Sequence, residues 1–239
     1  TIINSYSVQD NKIDLFMEIM PNLKRQFRIG VVANYVHLRD NLVHNVESDN
    51  YDYISHAYFN YYIDNENSPT FASRGWKFNL NGKYIMPVIK LEDGSRMSHS
   101  FILKADINGS IAIGKKHSLK LGATAGTSLL AQEPPLSYQF FLGGQSHMNY
   151  FDNIISFDGL RFTQLYGDHI TLAKISWQYN FYKNLYAIAN INGGYISTDY
   201  DQWFNDNNFV IGCGITFGMN TMAGPIEVSL MGSNKYSDL

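Results

Sequence analysis

Alternation of apolar and polar residues over long stretches is the feature of this sequence that most restricts its fold. In the stretch FVIGCGITFGMN, Phe209 to Asn220, every odd position is apolar, whereas most even positions carry glycine, threonine or asparagine. Because successive side chains of a β-strand point to opposite faces, the stretch predicts a strand with one apolar face. That face could lie against a protein core or against lipid.

The same alternation returns along most of the chain. Clear copies occur in GWKFNLNGKY, FILKADINGSIAI, HITLAKISWQYNFY and LYAIANINGGYI, and weaker ones around residues 13–19, 27–35, 57–63, 119–125 and 226–230. Together they predict about ten strands, several of which reach about ten residues, whereas strands of globular proteins are mostly about five or six residues long. Tight turns such as GKKH and FYKN alternate with longer polar loops such as STDYDQWFNDNN. Short turns at one end and long loops at the other are typical of outer-membrane barrels.

Composition is compatible with a membrane barrel and argues against other classes. Hydrophobic residues make up 45% and aromatic residues 15% of the 239 residues. No stretch approaches the roughly 18 consecutive apolar residues of a transmembrane helix, but a membrane strand needs only about 9–11 residues with alternate ones apolar. The net charge of −3, spread along the chain, argues against a nucleic-acid partner.

Charged side chains fall on the polar rows of the predicted strands, among them Lys77, Lys104, Asp106 and Lys174. A lysine that faces lipid at the bilayer midplane costs about 2–4 kcal/mol, whereas one that faces a hydrated lumen costs little. We therefore predict an all-β fold, an antiparallel transmembrane β-barrel with its apolar rows toward lipid and a polar lumen. A soluble all-β sandwich is the alternative, and the strand lengths disfavour it.

One segment, Tyr138 to His169, interrupts the alternation. It is too long for a hairpin turn, rich in aromatic residues, and contains four glycines. We predict that it folds into the lumen, because its aromatic cluster is poorly suited to a solvated external loop. Arg161 is the expected charged anchor, with Asp106 or Glu227 on an inner row as its partner. A disordered surface loop with Arg161 in solvent is the alternative.

The motifs of this segment carry a family resemblance. FLGG, then FDGLR, then LYG followed by DH resembles the re-entrant loop of the outer-membrane insertase superfamily, also called the bacterial surface antigen family. The resemblance implies a 16-stranded barrel in the bacterial outer membrane, of which about 10–11 strands are covered here. Residues 1–239 are then one barrel domain, expected to be incomplete at the N-terminus and to lack the closing C-terminal strand. The implied lumen-loop residues are Gly143, Gly144, Phe157, Asp158, Gly159, Leu160, Arg161 and Gly167.

Departures from the usual loop pattern point to a particular branch. Insertases and two-partner secretion transporters usually carry arginine immediately before the loop glycine, where this chain has Asp158. At the wall position where those families have the partner aspartate, this chain has Asn190. The pattern is similar to the barrel of patatin-like phospholipases, in which a patatin hydrolase precedes the barrel. The resemblance implies a barrel that anchors, and can export to the cell surface, an upstream lipid hydrolase. An insertase or transporter for other proteins and a passive pore are the alternatives.

Catalytic motifs are not expected within this chain. No G-x-S-x-G occurs, since GATAG has Thr124 at its centre, and the histidines lack the spacing of a zinc site. Cys213 lies in an apolar row and is interpreted as a small hydrophobe. We expect no catalytic residue, metal or cofactor. The expected partners are outer-membrane lipids and an upstream domain or passenger of the same chain; a homodimer or a larger outer-membrane complex stays open.

Overall fold

The computed structural model describes residues 6–40, 50–86, 99–129, 138–145 and 152–235. Ten long strands form one antiparallel sheet in which neighbours along the chain are neighbours in the sheet, as the alternation predicted. These strands are β1 (Tyr6–Asn22), β2 (Arg25–Asp40), β3 (Asn50–Asp64), β4 (Gly75–Ile85), β5 (Ser100–Ile113), β6 (His117–Leu129), β10 (His169–Tyr182), β11 (Leu185–Ser197), β12 (Phe209–Thr221) and β13 (Gly224–Ser233).

A second, small sheet lies in the segment between β6 and β10. Its strands are β7 (Phe140–Leu142), β8 (Ile154–Ile155) and β9 (Leu165–Gly167), with β7 in the centre, parallel to β8 and antiparallel to β9. A 3₁₀ turn spans Asp206–Asn208 in the connection between β11 and β12. Among the described residues, no helix has the length and apolar character needed to cross a membrane.

The two faces of the large sheet differ as the alternation predicts. In β12, Ile215 is 53% exposed and Phe217 is 57% exposed, whereas Thr216 between them is 2% exposed. The register carries this difference across the sheet, because Ile215 pairs with Ala189 and Leu230 while Thr216 pairs with Ile188 and Ser229. Asn220 shares the row of Thr216 but lies at the end of the strand and is exposed. The sheet therefore has a continuous apolar outer face and a covered inner face.

The sheet curves around the segment that follows β6. Tyr138 donates to or accepts from Nδ1 of His56 in β3 at 2.8 Å, and Ser233 at the end of β13 donates its hydroxyl to the Gly159 carbonyl at 2.9 Å. Strands at opposite sides of the sheet thus contact one segment on the same face, so that face is concave. Within the described residues, β1 pairs only with β2 and β13 only with β12.

The two ends of the sheet have different connections. At one end the described connections are two or three residues long, with the exception of residues 65–74; at the other they include the long segments 138–168 and 198–208. The predicted division into a short-turn end and a long-loop end is therefore present. The short connections are residues 23–24, 114–116, 183–184 and 222–223.

Candidate functional site

The segment after β6 forms a compact unit on the concave face; we call residues 138–168 the inner loop, and its residues 146–151 lie outside the described part. Its turns are fixed by backbone hydrogen bonds. Gly143 N donates to the Ile155 carbonyl at 3.0 Å, and Gly144 N donates to the Leu160 carbonyl at 3.0 Å. Phe157 N donates to the Gly144 carbonyl at 3.1 Å. These bonds bring the sequence elements FLGG and FDGLR together. Gly143 and Gly144 both have positive φ.

An apolar core joins the inner loop to the wall. Phe140, Leu142 and Phe157 are at most 2% exposed. The wall residues that pack against them are on the inner row, close to the long-loop end. At these positions the inner row carries apolar residues, where strict alternation would give polar ones. The signal for this was present in the sequence, because a strand covered on both faces is apolar on both rows. The wall residues of this cluster are Ile54, Ile85, Ile102, Ile170, Leu172, Ile196 and Val210.

Glycines in the wall make room for aromatic rings of the inner loop. A Cβ at Gly126 in β6 would lie 2.6 Å from Cζ of Phe140, and a Cβ at Gly212 in β12 would lie 2.8 Å from Cε1 of Phe157. A real Cβ almost never lies this close to another atom, so any side chain at these positions would displace the rings. Glycine at these two positions therefore allows the inner loop to approach the wall closely.

Gly159 brings the tip of the inner loop against the last strand. Its φ is +88°, and a Cβ there would collide with the backbone of Gly232 in β13. Only glycine adopts this conformation without strain and also leaves space for the neighbouring strand. The Gly159 carbonyl in turn accepts the Ser233 hydroxyl. The glycine of FDGLR is therefore needed both for the turn and for the contact.

Asp158 is the most deeply buried charged residue in the described part of the inner loop. Its side chain is 1% exposed, and Oδ2 lies 3.0 Å from Nζ of Lys174 in β10. The ion pair is not aligned as a hydrogen bond, since Oδ2 has no hydrogen-bond partner among the described residues. Oδ1 accepts from Gln145 at 3.3 Å. The Asn192 side chain in β11 accepts from Asp158 N at 2.7 Å and donates to the Gly212 carbonyl at 2.8 Å. Charge and hydrogen bonds together fasten this residue to β10 and β11, and Asn192 links it further to β12.

The structure does not give Arg161 the predicted role of anchor. Arg161 is exposed and makes no ion pair with any described residue; its backbone N donates to Oε1 of Gln164 at 2.8 Å. Asp106 instead lies 3.1 Å from Lys104 and accepts from Thr124 at 2.8 Å. The glycine turn at position 159 reverses the chain, so that the side chain before it faces the wall and the side chain two positions after it faces solvent.

The other candidate partner, Glu227, is on the inner row of β13, where it acts electrostatically on Lys120 of β6. The remaining predicted loop residues are all in the inner loop. Leu160 is 4% exposed within the apolar core, and a Cβ at Gly167 would lie 2.7 Å from the Ser197 carbonyl of β11. Sequence reasoning missed Lys174, Gln145 and Asn192 as partners of Asp158, although Lys174 was assigned to an inner row.

A second polar contact holds the start of β8 to the opposite side of the wall. Lys104 Nζ donates to the Asp152 carbonyl at 2.8 Å, and Lys83 Nζ lies 3.4 Å from the Asp152 carboxylate. Burial acts to raise the pKa of Asp152, but Lys83 and Lys104 outweigh it and hold the pKa below its ordinary value. The carboxylate therefore stays charged at neutral pH, and the inner loop is attached on both sides of the concave face.

A curved antiparallel sheet with an apolar outer face, a polar inner row and a loop packed against that row defines an outer-membrane β-barrel with a filled lumen. The family model of the OMP85 superfamily matches residues 3–238, and the chain belongs to this superfamily. Its fold is similar to that of BamA from Haemophilus ducreyi, solved as a crystal structure lacking POTRA domains 1-3, with a TM-score of 0.74 and 13% identity over 97% of this chain and 52% of that chain.

CdiB from Escherichia coli is similar with a TM-score of 0.61 and 14% identity over 98% of this chain and 42% of that chain. The chain thus spans about half the length of the solved barrels that it matches. None of the curated proteins compared with the sequence matches it. The predicted superfamily, barrel fold and outer-membrane location are confirmed.

Proposed function

We propose that this barrel handles polypeptide at the outer membrane and that the inner loop is its plug. The observation that carries the proposal is the burial of the loop: Leu142 is 0% exposed and Asp158 is 1% exposed on the concave face. A loop that packs into the lumen with a hydrophobic core and a buried ion pair obstructs passive flow. This arrangement favours a gated barrel over a permanently open pore.

The cargo in the first form of the proposal is a domain of the same chain. Position 158 favours this form, because insertases and two-partner secretion transporters usually carry arginine there, whereas the sequence is similar to patatin-like phospholipase barrels at this point. The barrel then anchors an upstream patatin-like lipid hydrolase and exports it to the cell surface. The barrel itself contributes no catalytic residue.

The second form has other proteins as cargo, as in an insertase or a transporter. The ion pair between Asp158 and Lys174 favours it. Insertases and transporters usually have arginine in the loop and aspartate on the wall. Here opposite charges also join loop and wall, but the loop carries the negative charge. Both forms need a loop that can be held in the lumen and released. In either form the expected partners are outer-membrane lipids and an outer-membrane complex or passenger.

Conductance tests the plug. Replacing residues 141–165 with a short Gly-Ser linker should convert a closed or weakly conducting barrel into a large and stable pore in planar bilayers, because the apolar core of the lumen is removed. Heat-modifiable gel mobility checks that the barrel still folds. An equally low conductance of the folded deletion variant would contradict the role of plug.

Cell assays separate the two forms. In cells that produce the intact protein, an epitope tag ahead of the barrel that becomes accessible to external protease supports anchoring and export. A fall in the amounts of other folded outer-membrane barrels or secreted proteins on depletion supports the second form. A pore that allows solute uptake, with neither effect, would overturn the proposal in favour of a passive pore.

A further inference from the structure

The connection between β3 and β4 is the exception at the short-turn end, and it folds into the lumen. It comprises residues 65–74. The strand ladder continues into it, because Asn65 N donates to the Trp76 carbonyl at 2.9 Å and Asn67 N donates to the Arg74 carbonyl at 3.0 Å. The remaining tip, residues 68–73, reads SPTFAS. We call these residues the inner tip.

The inner tip places an aromatic ring on the wall at the far side of the lumen. Phe71 is 6% exposed and stacks on Tyr186 of β11, with 4.3 Å between ring centroids and 14° between ring planes. A Cβ at Gly218 of β12 would lie 2.5 Å from Cζ of Phe71. Tyr186 and Gly218 are paired across β11 and β12, so the ring of Phe71 occupies a slot that lies over Gly218 and against the Tyr186 ring. Strands β5, β6 and β10 separate β4 from β11 in the sheet, so the contact bridges the lumen.

The wall also binds the backbone of the inner tip. Gln178 of β10 is 2% exposed, and its Nε2 donates to the Phe71 carbonyl at 3.2 Å and to the Ala72 carbonyl at 3.5 Å. Its Oε1 is buried and has no hydrogen-bond partner in the part of the chain that the structure describes. Ser118, which pairs with Gln178 across β6 and β10, is 1% exposed, and its Oγ likewise has no hydrogen-bond partner within the described ranges.

These contacts have the chemistry of peptide recognition. A side-chain amide that donates to successive main-chain carbonyls recognises backbone rather than a particular side chain, and its unused oxygen can accept a backbone N–H. Unpaired buried polar atoms cost free energy, so such a site is best satisfied by an extended chain that offers both groups. The ring slot adds selectivity for an aromatic side chain.

We propose that Ser118, Gln178, Tyr186 and Gly218 form a peptide-binding site on the inner wall, which Phe71 and Ala72 of the same chain occupy. An extended polypeptide segment with an aromatic side chain binds there when the inner tip withdraws. The inference rests on the proposed handling of polypeptide. In outer-membrane barrels the short turns face the periplasm, so polypeptide that arrives from that side meets this site before it meets the inner loop.

Peptide binding to the purified full chain in nanodiscs tests the proposal. The probe is the fluorescein-labelled nonapeptide NSPTFASRG, the sequence of residues 67–75, and the control peptide is NSPTSASRG. Phe71→Ser empties the ring slot, so this variant should bind the probe at least about tenfold more tightly than the wild type, as measured by anisotropy. Adding Gly218→Leu, which fills the slot, should abolish that binding, and adding Gln178→Leu should weaken it about tenfold.

Equal binding of the two peptides to Phe71→Ser, or binding that persists with Gly218→Leu, would overturn the proposal. If Phe71→Ser does not fold, benzoylphenylalanine in place of Phe71 provides the measurement. Its photocrosslink to β11 or β12 should be suppressed by excess NSPTFASRG and not by NSPTSASRG, and suppression by neither peptide would contradict the site. If the peptide does not bind but a tagged passenger still reaches the surface, only this inference is rejected. If the peptide binds but the passenger is not exported, the proposed function is rejected.

Discussion

Asp158 holds the inner loop to the wall through a charge that is enclosed and that Lys174 compensates. Removing one partner of such a pair leaves a charge without compensation, which costs about 1–3 kcal/mol when the other partner is partly exposed. Asp158→Asn keeps the size of the side chain and removes the charge. We expect it to lower the temperature at which the folded, fast-migrating form disappears on gels, and to raise single-channel conductance.

Arg161→Ala is the matched control for that prediction, since Arg161 is in the same loop, is charged, and is exposed. Its effect on stability should stay within about 0.5 kcal/mol, as for most surface substitutions. A larger effect of Arg161→Ala than of Asp158→Asn would mean that the anchor predicted from sequence is right after all and that the ion pair with Lys174 is incidental.

Gly159 allows a second test at the same scale, because the chain contains a glycine with a similar φ and, among the described residues, no atom within 4 Å of the position of a Cβ. Gly114, in the turn between β5 and β6, has φ +82° and open space where a Cβ would be. Alanine should cause conformational strain of about 1–3 kcal/mol at either position. Only Gly159→Ala also collides with β13, so it alone should release the loop tip and raise conductance. Similar conductance of both variants would indicate that the contact with Gly232 does not matter.

Among the elements, the strands were predictable and the attachment of the loop was not. Alternation assigns Ile215 and Thr216 to opposite faces because the two faces of the strand meet different environments there. The loop has no such periodicity. Whether Asp158 or Arg161 faces the wall depends on one positive φ at Gly159, which sequence spacing does not encode. The inner tip was not predicted for the same reason. A usable signal was present, because the connection of residues 65–74 is ten residues long at the short-turn end and contains Pro69 and Phe71.

The small sheet formed by β7, β8 and β9 should depend for its stability on the apolar core that it shares with the wall. Leu142 lies in its central strand, is 0% exposed and belongs to the shared core. Leu142→Ala should destabilise the docked loop by about 2–5 kcal/mol, because it leaves a cavity. Limited proteolysis between residues 138 and 168 should then become faster. Ile191→Ala, on the outer row of β11 and 58% exposed, is the control and should leave the proteolysis rate unchanged.

The whole molecule is predicted to meet lipid with one face and a filled lumen with the other. Spin labels on Ile215→Cys and Thr216→Cys, each in a Cys213→Ser background, test this directly. Oxygen concentrates in lipid, so it should relax the label at position 215 strongly. The label at position 216 faces the lumen and should be much less accessible to oxygen. Equal oxygen accessibility at both positions would be incompatible with the barrel orientation.

The uneven distribution of apolar residues along the inner rows has a consequence for how the barrel resists leakage. Ions that enter from the short-turn end can keep their hydration shells among Lys77, Asn79 and Lys120, but would have to shed them at Leu142 and Ile170. The barrier there is dehydration rather than charge. Salt screens ion pairs but does not weaken apolar burial in the same way. Closure should therefore persist in concentrated potassium chloride and give way in urea.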